Sequence, residues 1–131
     1  MAILRDLVVD CHHPAALARF WTAALDGYQV AAYDEEAMAD LAAQGIADPE
    51  EDPSVLVEPV AGTGLRLFFN LVPEDKASKN RLHIDVTAEN PGAERERLIG
   101  LGARALRRDP DGWVVMADPE GNEFCLMDWA R

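Results

Sequence analysis

The sequence predicts an α+β protein in which one order of elements, strand–helix–strand–strand–strand, is written twice. Three observations carry that prediction. Short β-branched and aromatic runs recur along the chain, as half-buried strands require. Two of the intervals between them begin near a proline and end at a glycine, the usual punctuation of helices. After a polar stretch, Pro73 to Asn80, the same order starts again.

Taken in order, Leu7-Val8-Val9 reads as the first strand. Pro14 opens a helix, because its missing N–H costs nothing at the first helical position. Leu17, Phe20, Trp21, Ala24 and Leu25 recur on one face of it, and Gly27 ends it. Tyr28 to Ala31 is the second strand. Asp34-Glu35-Glu36 then puts negative charge on the first turn of a further helix. Ala37, Met38, Leu41 and Ala42 are its expected inner face and Gly45 its stop. Residues 47–53, rich in acid and proline, read as a loop. Val55-Leu56-Val57 and Leu65 to Leu71 are strands, split by Gly62-Thr63-Gly64.

In the second half, Leu82 to Val86 is a strand and Asn90-Pro91 a capped helix start. Leu98 and Leu101 supply the apolar face, and Gly100 and Gly102 end it. Ala103 to Leu106, Trp113 to Ala117 and Phe124 to Met127 are the remaining strands. The turn Asp118-Pro119-Glu120-Gly121-Asn122 joins the last two and reads as structural. The expected organisation is a single domain over residues 1–131: module one about 4–72, linker 73–79, module two about 80–129.

A chain of 131 residues can bury a core without staples. Its 24 acidic side chains against 12 Lys and Arg give a net charge of −12. That excludes nucleic-acid and anionic-membrane partners, which need a basic footprint. The charge is local: residues 20–65 hold ten acids and no Lys or Arg, while the rest has 14 acids against 12 bases. The acidic stretch 34–53 reads as a solvated insertion. Two cysteines, Cys11 and Cys125, make no disulfide framework and point to the reducing cytoplasm. The N-terminal residues do not read as a signal peptide, and no apolar run approaches the ~18 residues of a membrane span.

Three segments carry a resemblance: Phe20-Trp21, Lys79-Asn80-Arg81-Leu82-His83-Ile84-Asp85, and Ala117 to Leu126 with its Asp-Pro-x-Gly-Asn run. The chain resembles the glyoxalase/bleomycin-resistance/dioxygenase group, the vicinal oxygen chelate superfamily, and within it the bacterial glyoxalase-like domain subgroup. The resemblance implies two βαβββ modules forming a cupped mixed sheet, with helices on the outer face and a small-molecule cleft between the modules, in a homodimer. Active members place a metal ligand on each of four strands. Carried over, these positions are Asp6, Asn70, His83 and Cys125. His83 is a standard ligand, Asp6 an acceptable carboxylate, Asn70 a weak neutral one, and Cys125 suits zinc rather than magnesium. The metal candidates are therefore Asp6, His83 and Cys125, for one divalent ion (zinc, iron, nickel or manganese).

Strand alternation adds an independent argument. Asp6, Val8 and Asp10 share one face, as do Arg81, His83 and Asp85, and Glu123, Cys125 and Met127. Each set lies opposite apolar neighbours, so Asp85, Glu123 and Met127 join the candidate cleft residues, and Trp113 joins them as an aromatic of the cavity wall. Each has a bland counterpart. His83 can be a hydrogen-bonded cleft histidine, Asp6 a partner of Arg5 or Arg81, Asn70 a backbone-bonding amide, and Cys125 a small hydrophobe. Trp21 reads as core, and His12 and His13 as a helix cap or solvated pair. Two functions follow. The first is metal-free binding or sequestration of a small molecule. The second is a metal-dependent lyase, isomerase or dioxygenase acting on a small oxygenated metabolite, with His83 as a ligand.

Overall fold

A computed structural model of the chain describes residues 1–110 and 112–128. Trp129, the expected end of module two, lies outside them. The chain divides into two compact units, Met1–Pro73 and Glu74–Arg131.

The first unit contains β1 (Asp6–Cys11), α1 (Pro14–Ala24), β2 (Tyr28–Val30), α2 (Glu35–Ala43), β3 (Ser54–Pro59) and β4 (Arg66–Leu71). Its sheet runs β1-β4-β3-β2, with β1 parallel to β4 and the other pairs antiparallel. The α1 stripe behaves as its spacing requires. Leu17, Phe20 and Trp21 are buried, and α1 packs on β2, β3 and β4, whose buried Val55, Val57, Leu67 and Phe69 belong to the same core. Each such side chain contributes roughly 1.5–3 kcal/mol when fully buried. The Phe20 and Trp21 rings meet edge to face at 5.3 Å.

Two expectations in this unit are corrected. In α2, Leu41 is buried but Ala42 is exposed; the helix rests on a narrow edge, not on a broad inner face. The loop at 47–53 contains a 3-10 turn, Pro49–Glu51, because Pro49 starts it and Asp48 accepts a hydrogen bond from the Glu50 amide at 2.9 Å.

The second unit contains β5 (Ile84–Ala88), α3 (Pro91–Gly100), β6 (Arg104–Arg108), β7 (Val114–Ala117) and β8 (Glu123–Asp128). Its sheet runs β5-β8-β7-β6, with β5 parallel to β8. Asn90 caps α3 by accepting from the Ala93 amide at 3.0 Å. Leu98 is buried, but Leu101 is 37% exposed because it stands at the C-cap, where the helix has already turned away. The core is completed by Val114, Val115, Met116, Phe124 and Leu126. The expected strand start at Leu82 moves to Ile84, leaving Leu82 70% exposed and His83 just ahead of the strand. The Glu123 carboxylate takes the Asn80 amide at 3.0 Å, so the chain bends there and the ladder begins at Ile84 opposite Phe124. β6 is exposed throughout, as its position at the sheet edge allows.

The Asp118 turn is structural, as expected. Asp118 is fully buried, and its Oδ1 accepts from the Glu120 amide (2.9 Å) and the Asn122 amide (3.0 Å). The Asn122 side-chain amide donates to Oδ2 at 3.0 Å. Gly121 sits at φ +90°, which L side chains rarely adopt. The molecule is an α+β protein with the same five-element order in both units, interrupted in the first by α2 and the 3-10 turn. No helix among the described residues is long and apolar enough to cross a membrane.

Candidate functional site

Register assembles the site. β5 and β8 pair Asp85 with Cys125; β8 and β7 pair Cys125 with Val115; β7 and β6 pair Val115 with Arg107. Directly paired residues point to the same side of a sheet, so these four form one row across all four strands. The opposite side carries the buried Phe124 and Leu126. Stepping by two along β8 brings Glu123 and Met127 to the same side as the row, and His83 and Trp113, one residue ahead of β5 and β7, border it too. Together they line an open hollow of about 220 Å³, with Lys79 and Asp109 also in its wall.

At its centre, His83 Nε2 lies 3.3 Å from Asp85 Oδ1. Burial pushes the Cys125 thiol above its ordinary range, helped by the neighbouring Asp85, while Arg107 and Lys79 pull the other way. One atom from each of His83, Asp85 and Cys125 lies within 4.8 Å of the others. Imidazole nitrogen, carboxylate oxygen and thiolate sulfur make a donor set that fits a zinc-type ion and leaves a side open toward the hollow.

The flanks are electrostatically settled. Burial alone raises the Glu123 carboxyl, but the Asn80 amide, its own backbone amide and Lys76 at 3.1 Å outweigh it, so the group sits below the usual range. Arg107 reaches Asp109 at 3.4 Å. Trp113, Val115 and Met127 form the apolar part of the wall.

The first-unit candidates are engaged differently. Asp6 is clamped by Arg66 through Nε at 2.7 Å and Nη2 at 3.0 Å, with Arg5 at 3.4 Å. Arg66, not Arg81, is its main partner because parallel pairing sets Asp6 opposite Arg66. Arg66 also lies over the Phe68 ring at 5.5 Å. Asn70 Oδ1 accepts from Ser54 Oγ at 2.7 Å, again across a ladder pair. Among the described residues, the group of acidic, histidine and cysteine donors that could hold a metal contains His83 and Cys125 with Asp85, and does not include Asp6. The sequence placed Asp85 in the cleft as a second-choice acid, outside the metal candidates Asp6, His83 and Cys125. It missed Val115, which alternation from Trp113 reveals, and Arg107, whose place depends on a bulge between Ala105 and Arg107. His13 stands at the α1 N-cap position but its side chain makes no capping bond, so the expected cap is absent.

Residues 6–127 match a protein family described as the glyoxalase-like domain. No match is found among curated proteins. Solved structures share the fold. One is a possible glyoxalase from Bacillus cereus, with 12% identity, 97% of this chain and 99% of that one covered, and a TM-score of 0.64. Another is a glyoxalase/bleomycin resistance protein/dioxygenase family enzyme from Burkholderia phytofirmans, with 15% identity, 95% and 97% covered, and a TM-score of 0.62. A third is the fosfomycin resistance protein FosX from Mesorhizobium loti, with 14% identity, 96% and 90% covered, and a TM-score of 0.61. At these identities the likeness concerns the fold alone.

Proposed function

The chain belongs to the glyoxalase-like domain family, and from that premise we propose that it binds a small oxygen-bearing molecule in the hollow of its second unit. The observation that carries this reading is the mixed wall of the hollow. Trp113, Val115 and Met127 offer apolar contact, and His83, Asp85 and Cys125 beside them offer polar atoms. Few polar groups in a largely apolar concavity are what orient a small ligand. A protein sharing this fold is named a fosfomycin resistance protein, so drugs belong among the small molecules to be tried. The reading includes a cytoplasmic homodimer that binds neither nucleic acid nor membranes.

The test is a screen of small oxygenated metabolites and drugs against metal-stripped protein, read by thermal shift and by amide chemical shifts. A true ligand at about 100 times its Kd stabilises the native state by about 2.7 kcal/mol. Its shifts should cluster on Trp113, Val115 and Met127. A screen in which no compound perturbs those residues sinks the proposal.

One observation favours a second reading, a metal-dependent lyase, isomerase or dioxygenase: the convergence of His83, Asp85 and Cys125 within 4.8 Å. A bound ion would supply Lewis-acid polarisation of a ligand oxygen. In that reading His83, Asp85 and Cys125 would hold the ion, and Trp113 and Met127 would contact the substrate's carbon skeleton.

A further inference from the structure

We propose that the hollow of the second unit takes a small aminocarboxylate, lying across the strands with its carboxylate on Arg107 and its amino group on Asp85. This names the chemical class of the ligand and rests on the reading that the hollow binds a small molecule.

The register carries it. The row on the hollow side runs from Asp85 on β5, through Cys125 on β8 and Val115 on β7, to Arg107 on β6. Its two ends have opposite charge, and an uncharged floor lies between them. Neighbouring strands are about 4.8 Å apart, so the backbones at the two ends are about 14 Å apart. The long Arg107 side chain is part of the hollow's wall and shortens that gap. A short carbon chain or a single ring spans the remainder, over Val115 and beside Trp113 and Met127. The volume of about 220 Å³ limits the ligand to that size.

The thiol in the middle of the floor feels both poles. Burial raises it first; beyond that, Asp85 pushes it up, and Arg107 and Lys79 draw it down. The charges at the ends therefore act on the very surface the ligand covers.

Both end groups have bonding capacity to spare. Arg107 meets Asp109 through Nη1 at 3.4 Å, which is long for a hydrogen bond. A guanidinium carries five N–H donors in a fork that matches a carboxylate. Arg66 is the contrast, since its fork is closed on Asp6 by bonds of 2.7 and 3.0 Å. At the other end, Asp85 faces His83 at 3.3 Å and its side chain is 55% exposed. The other acid on β8, Glu123, is already held by Lys76 and the Asn80 amide, so it does not compete for the amino group.

The probes are para-aminomethylbenzoate and ε-aminocaproate, which carry both ends, with benzylamine and para-toluate as one-ended controls. Each is titrated into metal-stripped full chain and read by calorimetry and amide chemical shifts. At least one two-ended probe should shift Val115 and Cys125 and bind at least about tenfold more tightly than either control, because hydrogen bonds between charged groups are the strong ones. Arg107→Gln should weaken that probe at least about tenfold and leave benzylamine unchanged. Asp85→Asn should do the same and leave para-toluate unchanged. Arg108→Gln makes the same charge change on the same strand, but Arg108 pairs with Val114 and so points to the other side of the sheet; it should alter affinity less than about twofold. Circular dichroism and melting curves establish that the variants are folded, and the exposed Asp85 and Arg107 side chains make their replacement tolerable. The proposal is overturned if neither two-ended probe perturbs Val115 and Cys125, if a one-ended control binds as tightly, or if Arg108→Gln weakens binding as much as Arg107→Gln. A compound from the wider screen that binds the hollow regardless of Arg107 would overturn this ligand class and leave small-molecule binding standing.

Discussion

A single buried carboxylate shows how much one residue fixes. Asp118 is fully enclosed, yet its oxygens meet two backbone amides and the Asn122 side chain. Asp118→Ala leaves those part-buried donors without their acceptor, which should cost about 2 kcal/mol, since hydrogen bonds to charged groups are worth about 1.5–3 kcal/mol. Urea denaturation with an unchanged m-value is the check. Loss of under about 0.5 kcal/mol would mean that water replaces the carboxylate. This residue was legible in advance, because an Asx turn is written in four or five adjacent letters. Asp6 was not. Its clamp by Arg66 depends on pairing between strands sixty residues apart, and no local pattern tells Arg66 from Arg81.

Elements were legible to the degree that their own periodicity decides them. The α1 stripe predicts which side chains are buried because one helix face covers three strands. The inner face of α2 was misjudged at Ala42 because periodicity reports which side is apolar, not whether anything packs against it. What holds that region is polar. The Tyr33 hydroxyl donates to Asp52 Oδ2 at 2.7 Å, tying the stretch before α2 to the stretch after the 3-10 turn. Burial, then the hydrogen bond and charge of Asp52, push the Tyr33 phenol well above its ordinary value of about 10. A group whose folded value is raised contributes stability that is complete below its unfolded value and is lost as pH rises through the folded one. The advantage of wild type over Tyr33→Phe should therefore be about 1 kcal/mol near neutrality and shrink above about pH 10. Denaturation at pH 8 and pH 11 measures it, and a constant difference would contradict the assignment. The site itself was half legible. Alternation found which side His83, Asp85 and Cys125 share, but the register that sets Asp85 beside Cys125 is a property of two distant strands.

For the whole molecule, charge is the dominant long-range term. Ten acids and no Lys or Arg lie within residues 20–65. The ion pair of Arg19 with Glu50 offsets only part of that repulsion. Raising sodium chloride from about 10 mM to about 150 mM shortens the screening length from about 30 Å to about 8 Å. The melting temperature should rise by about a few degrees, and a variant with Glu35, Glu36 and Asp40 made neutral should lose most of that response. A melting temperature that falls with salt would show that attractive pairs outweigh the acidic stretch. In the second sheet, β8 lies between β5 and β7 although it follows both in sequence. During folding, β7 and β6 can close as a hairpin, whereas β5 has no ladder partner until β8 slides in beside it. No partly folded form that lacks β8 can therefore assemble the row from Asp85 to Arg107.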